Sequence, residues 1–266
     1  MKAPDFDYQR PRDLTEALEL LARHGGDAAI IAGGQSLLAL LNFRLAAPEL
    51  LIDIGRLAEL KQLTEQDGHI EIGGLTRHCD IAASALIARE LPLLHQAIGH
   101  IAHPAVRHRG TIGGSLAMAD PAAELGACCL ALDGQFSLVS ARGQRWVAAG
   151  DFFQGVYETA LQGDEILTAV RLPKPAPGSI GIFDETARRR GDFAMAGLAL
   201  AAQAQNGGLR GVRLALLGVA DRPILAEKTM AFLESGPLDE SRIEETAKLA
   251  AAETDPPEDP AYPPAY

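Results

Sequence analysis

Cysteine is scarce in this 266-residue chain: Cys79, Cys128 and Cys129 are the whole supply. An odd count with two adjacent members is no disulfide framework. Without any Cys-x-x-Cys, the chain also lacks a ligand set for an iron–sulfur cluster or a zinc ribbon. A reducing cytoplasm is the expected home. Basic residues are short as well, 24 against 35 acidic, giving a net charge of −11. Nucleic acid needs a basic surface to meet its phosphates, so it is not an expected partner. No apolar run reaches the ~18 residues of a membrane span; Leu37–Leu41 and Cys128–Leu132 are too short. The first eleven residues carry Asp5, Asp7 and Arg10 and no apolar core, so they do not read as a secretory signal. What the chain does have is a 47% hydrophobic content, which excludes disorder. Its length suits about two domains of roughly 100–200 residues.

Helical spacing begins at Leu14, Ala17, Leu18 and Leu21, with Asp13 as cap and Glu16 three residues on. Gly25-Gly26 ends that helix. Ala28–Ile31 reads as a short buried strand, Ser36–Phe43 as a helical turn and Leu50–Ile54 as a second strand. A further unit starts at Ile70-Glu71-Ile72, enters Gly73-Gly74, and continues into helical stretches near 80–88 and 91–100. Asp120-Pro121 predicts a helix start, with Asp as cap and Pro at the first helical position. Strands are predicted at 136–140, 145–148 and 166–172. The segment from Pro173 to Gly178 has linker composition. Beyond it, 180–187, 193–205 and 209–219 read as long strands, with Asn206-Gly207 a hairpin turn because both residues accept positive φ. Helices are predicted near 224–233 and 240–253. Five prolines in the last twelve residues argue against regular structure there.

Two double-glycine segments carry the chemical interest: Ala32-Gly33-Gly34-Gln35-Ser36 and Thr111-Ile112-Gly113-Gly114-Ser115. Glycine permits positive φ and brings bare N–H groups close to a ligand. Consecutive N–H groups form anion nests, to which serine adds a donor. Two such loops suit the two phosphates of a dinucleotide; the plainer reading is two tight turns. Neither matches the Rossmann or P-loop fingerprint. Gly73-Gly74 is assigned to a structural turn. His100, His103 and His108 cluster around Pro104, but their spacing matches no familiar metal set. Cys128-Cys129 sits in an apolar helix and reads as core. Glu124 favours a helix dipole, or accepts hydrogen bonds from a ribose or adenine. Arg188, Arg189 and Arg190 form either a solvated face or a contact for cofactor phosphates or a redox partner.

Taken in order, these segments resemble the FAD subunit of molybdenum hydroxylases, of the carbon monoxide dehydrogenase medium-subunit and xanthine dehydrogenase type. The resemblance rests on Ala32-Gly33-Gly34-Gln35-Ser36-Leu37, on Arg109 through Ser115, and on Ala119-Asp120-Pro121. Supporting segments are Ile72–Thr76, Asp151–Phe153, Asp164–Leu167 and Arg190–Ala194. It implies an α+β fold: a PCMH-type FAD-binding domain over 1–175, divided near 1–56 and 57–175, then a C-terminal domain over 178–266 with a three-stranded antiparallel sheet and helices. It implies noncovalent FAD, with both glycine loops at the pyrophosphate and ribityl chain. Ile101, Asp120 and Glu124 are placed near the cofactor, Leu167 on its adenine side, and Phe193 over the isoalloxazine. Glu185 stands where some relatives have a flavin-contacting lysine, and Gln35 replaces a common histidine.

The resemblance also implies partners. A small subunit with two 2Fe–2S clusters and a large molybdopterin subunit would complete a dimer of heterotrimers. Electrons would pass through FAD to NAD, a quinone or oxygen. Side chains of this chain are assigned no catalytic role of their own, and no metal. The runner-up reading is a self-sufficient FAD-dependent oxidase or dehydrogenase acting on its own small substrate.

Overall fold

The computed structural model describes residues 2–256 and 258. Its first layer follows from the cap at Asp13, whose Oδ1 accepts the Glu16 N–H at 2.9 Å. The helix Leu14–His24 turns Ala17, Leu18, Leu20 and Leu21 inward onto a three-stranded sheet. In that sheet Leu50–Asp53 lies centrally, paired in parallel with Ala28–Ile31 on one side and Asp7–Gln9 on the other. The edge strand Asp7–Gln9 is exposed along its length and has no apolar pattern, which is why sequence alone does not reveal it. Asp53 anchors it through the Tyr8 hydroxyl and a 2.9 Å ion pair with Arg10.

A second, antiparallel sheet has the order Leu63–Gln66, His69–Gly73, Ile166–Pro173, Gln135–Ser140, Gly143–Ala148. Its apolar partners come from short helices, His78–Ala83, Ala85–Glu90, Pro92–Ile98 and Ile112–Met118, and from Glu124–Ala131. All eight residues of Glu124–Ala131 are buried, including Cys128 and Cys129. A helix apolar all round must be covered on all sides. Here the extra cover is the third sheet, whose Ala199, Ala215 and Leu217 join the same core.

That third sheet is antiparallel, in the order Ser179–Ala187, Ala194–Gln205, Gly208–Leu217, Ile224–Leu225. Asn206 and Gly207 form the expected turn at φ 50° and 77°. Two differences from the sequence reading concern where helices begin. Ile224-Leu225 adds a short fourth strand, so the helix starts later, at Glu227–Glu234. Asp120-Pro121 makes a turn instead of a helix start: Asp120 Oδ1 accepts the Ala122 N–H at 3.0 Å, and the helix begins at Glu124. The Asx turn satisfies the local donor first, and the helix begins only after it. The final helix, Glu240–Ala252, is capped by Asp239. Most of the proline-rich end lies outside the described residues. No described helix is long and apolar enough to cross a membrane.

Candidate functional site

The two glycine segments meet each other. Strand Ala28–Ile31 delivers Gly33 against the chain at Arg109 so closely that a Cβ on Gly33 would lie 2.2 Å from the Arg109 carbonyl oxygen. A Cβ on Gly114 would lie 3.9 Å from that of Ala32. The second segment is docked in turn on the third glycine pair. A Cβ on Gly113 would lie 2.7 Å from the Gly74 carbonyl oxygen, which accepts the Gly113 N–H at 2.9 Å. A Cβ on Gly74 would lie 2.5 Å from the Leu167 carbonyl, and the Gly74 N–H donates to Thr168 at 2.7 Å. At Gly33, Gly74 and Gly113 glycine is required because main chain touches main chain; at Gly114 a Cβ would instead lie 2.9 Å from the Thr111 hydroxyl oxygen.

This corrects one expectation about both loops. Gly34 has positive φ, +73°, but Gly33, Gly113 and Gly114 do not. Three of the four are glycine for space, not for dihedral freedom. The segments also divide their labour. The N–H groups of Gly33, Gly34, Gln35 and Ser36 donate to none of the described residues. In the second segment Ile112 donates to the Thr76 carbonyl, Gly113 to Gly74, and Gly114 to Thr111 Oγ1 at 3.2 Å. Thr111 is thereby the cap of helix Ile112–Met118. The first segment therefore supplies a run of available donors. The second supplies a rigid wall, with Gly114 exposed and Ser115 half-buried beside it. Such a donor run fits an anion such as a pyrophosphate. Gln35 stabilises the turn by donating from Nε2 to the Gly33 carbonyl at 3.2 Å.

The turn from Ile101 to His103 forms another edge. Arg107 Nη1 donates to the carbonyls of Ile101 and Ala102 at 2.7 and 2.9 Å, which holds Ala102 at φ 42°. Ile101 itself is buried in the core. The turn ending in Phe193 rests on this edge: a Cβ on Gly191, at φ +87°, would lie 2.6 Å from the His103 ring. Phe193 stands beyond it with 67% of its surface exposed. Leu167 lies between the core and the third glycine pair. Its side chain belongs to the apolar core, and its carbonyl is what meets Gly74. Asp120 Oδ2 also accepts from the Tyr157 hydroxyl at 3.3 Å.

Two buried titratable groups lie nearby. Burial pushes the Glu124 carboxyl up to about 7, with the charges of Glu185 and Asp120 acting in the same direction. Burial lowers His78 to about 4, so it is neutral; its ring packs under Gly110. Sequence pattern alone does not mark Gly74, Arg107 or His78 as site residues. The repeated Gly-Gly pair was the available signal for Gly74; Arg107 and His78 carried none. Among the described residues no group of three or more His, Cys, Asp or Glu, whether from His100, His103 and His108 or elsewhere, is arranged to hold a metal ion.

Comparison with known proteins extends over this whole arrangement. Residues 4–175 match the family described as the FAD binding domain in molybdopterin dehydrogenase. Residues 181–266 match the CO dehydrogenase flavoprotein C-terminal domain. The chain is 40% identical to caffeine dehydrogenase subunit beta of Pseudomonas sp. (strain CBB1), over 84% of this chain and 76% of that one. It is 36% identical to the carbon monoxide dehydrogenase medium chain of Hydrogenophaga pseudoflava, over 97% and 90%. Among solved structures, quinoline 2-oxidoreductase from Pseudomonas putida 86 matches with a TM-score of 0.95 at 38% identity, covering 100% of this chain and 92% of that one.

Proposed function

The chain belongs to the FAD-binding flavoprotein subunits of the molybdenum hydroxylases, and from that premise we propose that it carries electrons between an iron–sulfur partner and a terminal acceptor. The observation that carries this reading is the run of four available N–H groups at Gly33–Ser36, in a segment packed against Arg109 and beside Gly114. In it the Gly33–Ser36 donors, with the Ser36 and Ser115 hydroxyls, bind the FAD pyrophosphate. Ala32 and Thr111 hold the two segments in place, Ile112 fixing the second through its bond to Thr76. Ile101 and the Arg107-held turn border the flavin end. Phe193 covers the ring face and excludes water from it. Asp120, Glu124 and the main chain at Leu167 complete the surroundings.

FAD, once bound, supplies the electron storage that no side chain of this protein can. Cluster and molybdopterin ligands are not found in the sequence, so these centres sit on a small iron–sulfur subunit and a large molybdopterin subunit, in a dimer of heterotrimers in the cytoplasm. The acceptor is NAD, a quinone or oxygen. The purified chain is expected to be yellow and to reduce dyes at most. It should not oxidise purines, aldehydes, carbon monoxide or aromatic acids unaided. Copurified partners should restore substrate-driven flavin reduction. Efficient substrate turnover by the lone chain would favour the self-sufficient oxidase instead.

A further inference from the structure

One edge of the third sheet is closed by a side chain. The strand Ser179–Ala187 is terminal in that sheet, so one row of its N–H and C=O groups has no strand to pair with. Helix Pro92–Ile98, from the layer that covers the second sheet, lies along this row. Leu93 comes so near that a Cβ on Gly181 would lie 2.9 Å from Leu93 Cβ. One turn on, the Gln96 carboxamide reaches two main-chain groups of the strand. Its Nε2 donates to the Gly181 carbonyl at 3.1 Å, and its Oε1 accepts the Phe183 N–H at 3.2 Å. One residue of a parallel neighbouring strand would make the same two bonds, so Gln96 stands in for a strand that is missing. Just past the helix end, the His100 ring meets the buried Phe183 ring edge-on, centroids 5.1 Å apart. His100 Nδ1 also lies 3.3 Å from Glu185 Oε1. The Glu185 side chain is only 5% exposed, and its Oε2 has no hydrogen-bond partner among the described residues.

Both sides of this seam run on into the segments assigned to the flavin. The helix leads to the turn Ile101–His103, which Arg107 holds through two carbonyls. The strand leads to the turn Arg188–Phe193, tightened by the Asp192 N–H donating to the Arg189 carbonyl at 3.1 Å. The two turns then touch: a Cβ on Gly191 would lie 2.6 Å from the His103 ring and 3.0 Å from the Ala102 carbonyl oxygen. The pairing with Ala194–Gln205 slips between Thr186 and Ala187, so the regular ladder stops guiding the chain there. Phe193 is largely exposed, and little apolar packing fixes it. Its place is therefore set by the seat of its turn on His103 and by the strand that delivers the turn.

We propose that Gln96 is a positioning residue for Phe193: its two bonds fix strand Ser179–Ala187 against helix Pro92–Ile98, and the fixed strand sets the turn that lays Phe193 over the flavin. This rests on the FAD reading, in which Phe193 covers the isoalloxazine. Gln96 acts through Phe193 and not on the cofactor directly.

The test uses the full chain loaded with FAD. Gln96→Met keeps the length of the side chain and removes both bonds. Gln96 is exposed, so water takes up the freed groups and the fold is kept. Arg213→Met is the control. Arg213 also joins the third sheet to its neighbours, through the Leu130 carbonyl at 3.1 and 2.8 Å, but it lies two strands away from this edge. Hydrogen–deuterium exchange over Arg188–Phe193 should be about 2- to 10-fold faster in Gln96→Met, the factor that one ordinary hydrogen bond contributes, and unchanged in Arg213→Met. FAD content should stay at the wild-type level in both. The flavin spectrum and the rate of reoxidation by oxygen should move in Gln96→Met in the direction they move in Phe193→Ala, and the double variant should behave as Phe193→Ala alone. Unchanged exchange in Gln96→Met, equal acceleration in Arg213→Met, or additive flavin effects in the double variant overturns the proposal. If Phe193→Ala leaves the flavin signals unmoved, the placement of Phe193 over the ring falls, while the exchange result still decides whether Gln96 positions the turn.

Discussion

Replacing Gly33 with alanine adds one methyl group where a Cβ has the least room of any described glycine. Its Cβ would lie 2.2 Å from the Arg109 carbonyl oxygen and 2.8 Å from the carbonyl carbon. Ordinary carbon–oxygen contacts are about 3.3 Å or longer, so the two segments must part by about 1 Å. Both sides are main chain, so no side chain can rotate away. Overpacking of this kind costs about 1–3 kcal/mol, which for a chain of this size is a fall in melting temperature of roughly 2–12 °C. The effect on cofactor is larger. A hydrogen bond to a charged group contributes about 1.5–3 kcal/mol. Misplacing two of the four donors at Gly33–Ser36 removes about 3–6 kcal/mol, or roughly 100- to 10,000-fold in FAD affinity. The assay is FAD titration by flavin fluorescence, alongside thermal melting with and without FAD. Gly26→Ala is the control: nothing lies within 4 Å of its Cβ, and it should be silent. Gly34→Ala should be intermediate, since a left-handed alanine costs about 1–2 kcal/mol but its close neighbours are the movable side chains of Leu38 and Ile31. If Gly33→Ala binds FAD with wild-type affinity and melts normally, the close main-chain contact does not shape the site.

Phe193→Ala should leave stability unchanged, because the ring is 67% exposed, while altering the flavin spectrum and its reaction with oxygen; stacking of this kind is worth about 0.5–1.5 kcal/mol. Arg107→Met should cost about 2–4 kcal/mol by releasing the carbonyls of Ile101 and Ala102, read as a lower melting temperature and faster proteolysis near that turn. His78 is depressed to about 4, so the unfolded chain binds the extra proton between about 6.5 and 4; stability should fall as pH drops through that window, and His78→Gln should flatten the fall. Glu124 is raised to about 7, so its sign is opposite: stability is greatest below the ordinary carboxylate range and falls as pH rises toward 7, and Glu124→Gln should melt higher than wild type at alkaline pH.

Much of the fold could be read from local patterns, for physical reasons that also explain the misses. Leu14, Ala17, Leu18 and Leu21 repeat at helical spacing, and Asn206-Gly207 accepts positive φ, so those elements declare themselves without help from the rest of the chain. The strand Asp7–Gln9 does not, since its pairing depends on Asp53, more than forty residues away. Ile224-Leu225 looks helical in isolation and becomes a strand because Ala215 and Leu216 offer it an edge. At the site, double glycines marked where the chain is special, but not why. The distance from Gly33 to the Arg109 carbonyl is a tertiary fact, and it changes the explanation from dihedral freedom to space. Glu185 was visible in sequence only as an acid where some relatives have lysine. Its burial, and the orphaned oxygen that comes with it, depend on the sheet and helix that close over it.

The seating of Gly113 on Gly74, and of Gly74 on the carbonyls of Leu167 and Thr168, bears on the order in which the protein is made. Both glycine loops have left the ribosome by the time residue 115 emerges, yet the strand that seats them is still unsynthesised. A nascent chain at that stage has both glycine segments and nothing to hold the second wall in place. The wall is therefore completed late in biosynthesis, with the arrival of Ile166–Pro173 as the central strand of its sheet.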